Sequence, residues 1–206
     1  MFSALILVVC YVVAACAAAL LAVCLGPAGS SFLYEAGKLA GLTGFTLLVL
    51  QAVLAARWKW VTRPYGLDIV YRFHRWMALF AGVLLLIHPV MLAAGGAGWG
   101  LIFSVEVPWY IWLGKAALLV LVINVVVSFF RKNFSVTFER WRLVHAIAGV
   151  FLLAGGFAHS WFAGSDLAEP VLQGLWVALV AGGVVVFAHH RFVRPALLGS
   201  RPYKVR

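Results

Sequence analysis

The chain has 206 residues, of which 65% are hydrophobic and only 11% charged, against roughly 25% charged in a soluble globular domain; its mean hydropathy is +1.05. The formal net charge of +10 comes from basic residues gathered at the ends of apolar runs, which fits a membrane rim facing anionic lipid and excludes a nucleic-acid-binding face. Cys10, Cys16 and Cys24 all fall inside the first apolar run without a Cys-x-x-Cys spacing, so they read as small packing residues and exclude a disulfide or iron–sulfur framework.

Helices of about 20 apolar residues span the hydrocarbon core of a bilayer. Apolar runs broken by polar or Gly/Pro segments predict six spans, roughly 3–25, 38–57, 72–94, 108–130, 141–163 and 171–190. The uncharged run from Met1 to Tyr34 lacks a basic start and is too long for a signal-peptide core, so it is expected to remain as the first span. Gly26-Pro27 ends it. RWKWVTRPYGLD joins the second span to the third, and GGAGWG ends the third; with no βαβ unit around it, that glycine run carries no nucleotide signature. RKNFS follows the fourth span, and AGSDLAEP separates the fifth from the sixth. Residues 1–190 are expected to form one all-α membrane domain and 191–206 a basic cytoplasmic tail.

Lys and Arg set the orientation. Arg57, Lys59, Arg63, Arg72 and Arg75 cluster between spans two and three, and Arg131, Lys132, Arg140 and Arg142 between spans four and five. Arg191, Arg194, Arg201, Lys204 and Arg206 follow span six. The alternate loops hold only Glu35, Glu106, Asp166 and Glu169. This alternation predicts a multi-pass protein of the cell membrane, of the bacterial inner-membrane kind, with both termini cytoplasmic. Trp76, Trp109, Trp112, Trp141 and Trp161 stand near span ends, as an aromatic belt requires. Asp68 and Glu139 are expected to pair with neighbouring arginines.

Two stretches repeat one arrangement: HRWMALFAGVLLLIHP begins with His74 and contains His88, and HAIAGVFLLAGGFAHS begins with His145 and contains His159. Fourteen residues of α-helix rise about 21 Å through almost four turns, so each pair lies on one face. Spans three and five run the same way, which levels His74 with His145 at the inner depth and His88 with His159 at the outer. Two imidazoles facing each other across a flat macrocycle are a bis-histidine haem site. Two depths predict two b-type haems stacked between the third and fifth helices, and the absence of Cys-x-x-Cys-His excludes covalent attachment. Ala81 and Leu152 stand midway between the histidines, with Phe80 and Phe151 one residue away as candidates to lie between the macrocycles. Arg72, Arg75 and Arg142 flank the inner depth as candidate cofactor-binding residues for propionates. No comparable basic group flanks the outer depth, where Ser160 and backbone amides are the candidates.

Other uses of these residues are weaker. A metal-transport path would want carboxylates inside the histidine-bearing spans, which the predicted third and fifth spans lack. His189 and His190, beside Arg191, read as surface or lipid-facing residues, and Glu106 as a solvated loop acid. With no general base or nucleophile evident, the chemistry must come from the cofactor.

The run LDIVYRFHRWMALFAGVLLLIHPV together with RWRLVHAIAGVFLLAGGFAHS resembles the ferric reductase-like transmembrane domain shared by ferric reductases and NADPH oxidases, over about residues 38–190. The resemblance implies a six-helix haem-containing oxidoreductase domain, with His74 and His145 as inner and His88 and His159 as outer haem ligands. It further implies electrons passing from NAD(P)H through FAD to the inner haem, then outward to ferric iron or oxygen. FAD and NAD(P)H would sit on a cytoplasmic flavin reductase domain or partner subunit: the final SRPYKVR resembles the opening of a flavin-binding domain cut short. Lipid and a small extracytoplasmic acceptor complete the expected partners. The haem subunit of a bacterial methionine-sulfoxide reductase is a related pattern with fewer paired histidines on its third span. From a different class, a quinone-linked cytochrome b of a respiratory complex also hangs two haems from two helices at this spacing.

Overall fold

The computed structural model describes residues 2–27 and 31–193. The tail at 194–206, including the segment that resembles a flavin-binding domain, lies outside the described residues. Eight α-helices follow in order: α1 (Phe2–Leu25), α2 (Phe32–Ala55), α3 (Lys59–Thr62), α4 (Leu67–Leu92), α5 (Gly100–Phe103), α6 (Trp109–Phe129), α7 (Phe138–Ala163) and α8 (Pro170–Ala188). Six of these, α1, α2, α4, α6, α7 and α8, are long and apolar enough to cross a membrane. The chain is a multi-pass, all-α membrane protein. Large apolar side chains such as Leu5, Leu119 and Ile147 stand more than 60% exposed on the outside, which suits contact with lipid and not with water.

Several boundaries differ from expectation, each for a local reason. α2 begins six residues earlier than expected. Ser31 caps it, its hydroxyl accepting from Tyr34 N at 3.2 Å and donating to Gly95 O at 2.8 Å, and Glu35 in the first turn complements the helix dipole. α4 begins at Leu67, after Gly66 at a φ of 80°, a conformation that glycine adopts without a side-chain clash. Pro89 removes one backbone donor inside it; the helix passes into a turn at Ala93–Ala97 and breaks at Gly96, at a φ of 125°, within the glycine run expected to end it. The short helices α3 and α5 lie in the connections, where the sequence reading had loops.

The core is built around α2, which packs most extensively against α4 and also against α1 and α8. Leu172, Trp176, Val49 and Thr46 are fully buried there, and the Thr46 hydroxyl is satisfied by Leu42 O at 2.9 Å. Small residues set the spacing: a Cβ on Gly183 would come within 2.6 Å of Val49 Cγ1. The second intimate pair is α6 with α7. The histidine-bearing helices α4 and α7 make little direct contact with each other; they stand apart, each backed by its own partner helix. Among the described residues Asp68 and Glu139 form no ion pair with an arginine. Among the described residues the ion pairs join Lys38 to Glu35 at 3.1 Å and to Asp166 at 2.8 Å.

Candidate functional site

Across the space between α4 and α7 the four histidines meet as two couples. The rings of His74 and His145 have centroids 6.3 Å apart with planes at 67°. Those of His88 and His159 are 6.5 Å apart at 79°. The first couple lies at the arginine-rich end of the bundle, the second at the opposite end.

Each ring but one is fixed from behind. Nδ1 of His88 bonds Gly37 O on α2 at 2.8 Å, and Nδ1 of His159 bonds Tyr110 O on α6 at 2.8 Å. Nδ1 of His145 bonds Asn124 Oδ1 at 3.0 Å, with Ser128 Oγ at 3.3 Å. Trp141 donates to that serine at 3.1 Å and stacks on the His145 ring at 5.2 Å. His74 Nδ1 is buried without a hydrogen-bond partner. A carbonyl or amide oxygen at Nδ1 places the proton there and leaves Nε2 as the free donor, the tautomer a metal ligand needs.

Glycine makes the close approach possible at the far end. A Cβ on Gly41 would stand 2.7 Å from His88 Nδ1, and one on Gly114 2.7 Å from His159 Cε1 and Nδ1. On the facing helices, Cβ atoms at Gly82 and Gly149 would meet nothing within 4 Å. Between the two depths lies an apolar layer of Ala117, Leu121 and Leu152 with Leu48, Leu85 and Leu118.

These residues fit haem. Two imidazoles bound through Nε2 on opposite sides of one metal, at about 2 Å each and with about 1.1 Å from Nε2 to ring centre, put their centroids about 6.2 Å apart. Both couples match that span. A bare ion would ask for three or four protein ligands, and no group of three or more His, Cys, Asp or Glu capable of holding one occurs among the described residues. Two axial donors suffice only for a metal that brings its in-plane ligands with it.

The remaining candidates fall outside the couples. Arg72, Arg75 and Arg142 are exposed; Arg75 lies over Phe129 at 4.7 Å and Arg142 over Phe138 at 5.9 Å. Phe80 and Phe151 do not fill the middle layer. They are 50% and 38% exposed, because one residue along a helix turns a side chain by about 100°, and the leucines take that place.

The outer depth does have basic groups. A cavity of about 320 Å³ lined by His88 and His159 is also lined by Lys38, Lys115 and Asp166. Lys38 spends its donors on Glu35, Asp166 and Pro27 O, while Lys115 bonds Ser104 O at 2.7 Å. Ser160, the earlier candidate, is already engaged: it donates to Phe157 O and accepts from Trp176 Nε1, both at 2.9 Å. His190 packs on Trp58, with ring centroids 5.9 Å apart, away from the paired histidines. Sequence reading missed Lys38, Lys115, Gln51, Asn124 and Ser128. Polar residues inside apolar spans were the available signal.

A family model described as ferric reductase like transmembrane component matches residues 40–156. The match covers more than half of the chain and includes His74, His88 and His145; His159 follows three residues beyond it. Neither the curated proteins nor the solved structures compared give a match.

Proposed function

The chain belongs to the ferric reductase-like transmembrane component family, and from that membership we propose that it carries single electrons across the membrane between two bis-histidine haem b sites. It is a membrane-embedded, oxidoreductase-like domain. The finer reading rests on one observation, the two facing imidazole couples at 6.3 and 6.5 Å.

In this reading His74 and His145 hold one haem and His88 and His159 the other, and each haem supplies reversible one-electron Fe(III)/Fe(II) chemistry when bound. The protein's own work is positional. α2 holds the His88 ring and α6 the His145 and His159 rings from behind, which leaves Nε2 of each free toward the gap. With two histidines to hold each haem, an acceptor would have to be reduced at the haem edge and not by binding the iron. The leucine layer keeps water out of the interval between the sites, where α4 offers no ionisable side chain beyond Arg75, next to His74, and α7 offers none between its histidines.

The positive-inside rule puts the arginine-rich end in the cytoplasm. Electrons would come from a flavin reductase domain or subunit using NAD(P)H, attracted to the exposed Arg72, Arg75 and Arg142. They would leave at the His88/His159 end to an extracytoplasmic acceptor, ferric iron ahead of oxygen. Vesicles holding a trapped ferric chelate test this. Addition of a flavoprotein reductase and NAD(P)H outside inverted vesicles should produce trapped ferrous iron. Production that is the same in protein-free vesicles would refute it.

A further inference from the structure

The four imidazoles do not share one kind of anchor. His88 and His159 are held by main-chain carbonyls, His145 by the side chain of Asn124, and His74 Nδ1 has no hydrogen-bond partner. The layout is nevertheless regular. α2 serves the histidines of α4, and α6 serves those of α7. On α6 the two anchoring residues, Tyr110 and Asn124, are fourteen apart; on α2 the same interval leads from Gly37 to Gln51. Fourteen is also the interval between His74 and His88 and between His145 and His159. Antiparallel neighbours therefore keep step over nearly four turns, and Gln51 stands toward His74 as Asn124 stands toward His145.

Gln51 carries the matching deficit. It is 6% exposed, and its Nε2 donates to Leu47 O at 3.1 Å and to Tyr11 OH at 3.3 Å. Its Oε1 is buried with no partner. The main-chain carbonyl of Gln51 also approaches the His74 ring closely enough to interact with it, so one residue offers the ring two oxygens, and Oε1 is the one left without any partner. A buried acceptor and a buried ring nitrogen, both unsatisfied and at corresponding positions, ask to be joined.

Resting on the haem reading above, we propose that Gln51 and Asn124 are matched positioning residues whose side-chain carbonyls accept the Nδ1–H of His74 and His145. The bond fixes each ring about its axis and pushes electron density toward Nε2, which favours the more positive, oxidised metal. Side-chain anchors make the arginine-end couple adjustable by substitution. The other couple, tied to main-chain carbonyls, is not.

The test is a potentiometric titration of the full chain in lipid, with haem counted in each preparation. Gln51→Met should keep two haems per chain and raise the potential of the His74/His145 centre. The expected change is about tenfold in its oxidised-to-reduced ratio, about 59 mV for one electron, with the other centre unmoved. Gln51→Glu, which offers an oxygen in every protonation state, should show no rise. If Gln51→Met retains two haems at unmoved potentials, or Gln51→Glu rises as methionine does, the proposal is overturned while the haem reading stands. A parental chain that binds no haem would end the haem reading itself. Should Gln51→Met not accumulate, Asn124→Leu applies the same test to His145 with the same two outcomes.

Discussion

Substituting Gly41 by alanine probes how closely α2 grips the far-end site. The added Cβ would stand 2.7 Å from His88 Nδ1 and 2.8 Å from its Cε1, whereas unstrained carbon contacts lie at about 3.5–4 Å. The ring must therefore retreat by about 0.7 Å or more. Overpacking of that order costs about 1–3 kcal/mol. The same movement stretches the 2.8 Å bond to Gly37 O, a bond worth about 1 kcal/mol. Together these reach about 2–4 kcal/mol, or roughly 30- to 1000-fold weaker haem retention at the His88/His159 site. Transfer of haem to excess apomyoglobin would measure it: one haem should leave fast and the other at the parental rate. Gly182→Ala is the control, since a Cβ there meets nothing within 4 Å, and it should behave as the parent. Gly41→Ala protein that keeps both haems as tightly as the parent would refute the reasoning.

Three further outcomes are expected. His88→Ala or His159→Ala should leave about one haem per chain in a pyridine haemochrome assay, held by His74 and His145; an unchanged stoichiometry would sink the assignment. Lys38→Met strands Asp166, whose side chain is 4% exposed, beside Glu35. Breaking a buried pair costs about 3–5 kcal/mol, so a marked drop in thermal midpoint is expected, partly restored by adding Asp166→Asn; equal midpoints would contradict the buried pairing. Replacing Cys10, Cys16 and Cys24 together by alanine should leave haem content and spectra unchanged, because all three are free and exposed; haem loss would point to a role for sulfur.

The six spans and the level histidines were legible because hydropathy and a fourteen-residue interval act within single helices. What escaped were contacts between helices. Lys38 was passed over because a lone cation near a span end looks like rim charge, and its partner Asp166 lies 128 residues away. Hence the true start of α2 at Phe32 was hidden as well. Asn124 and Gln51 carried a readable signal, polar amides in apolar helices, and their intervals from Tyr110 and Gly37 repeat that of the histidines. Their meaning needed the knowledge that α6 backs α7 and α2 backs α4. Phe80 and Phe151 show the opposite failure: adjacency in sequence suggested the gap, and one helical step turned them out of it.

The central claim is that each facing imidazole couple ligates one haem iron. Low-temperature EPR of the oxidised, purified chain, with haem quantified in the same sample, tests it most directly. Ring planes kept at 67° and 79° would leave the two π-type orbitals of a bound iron nearly equal in energy. Two haems per chain, both low-spin with strongly anisotropic signals, are therefore expected. High-spin iron, a single haem, or none would contradict the account.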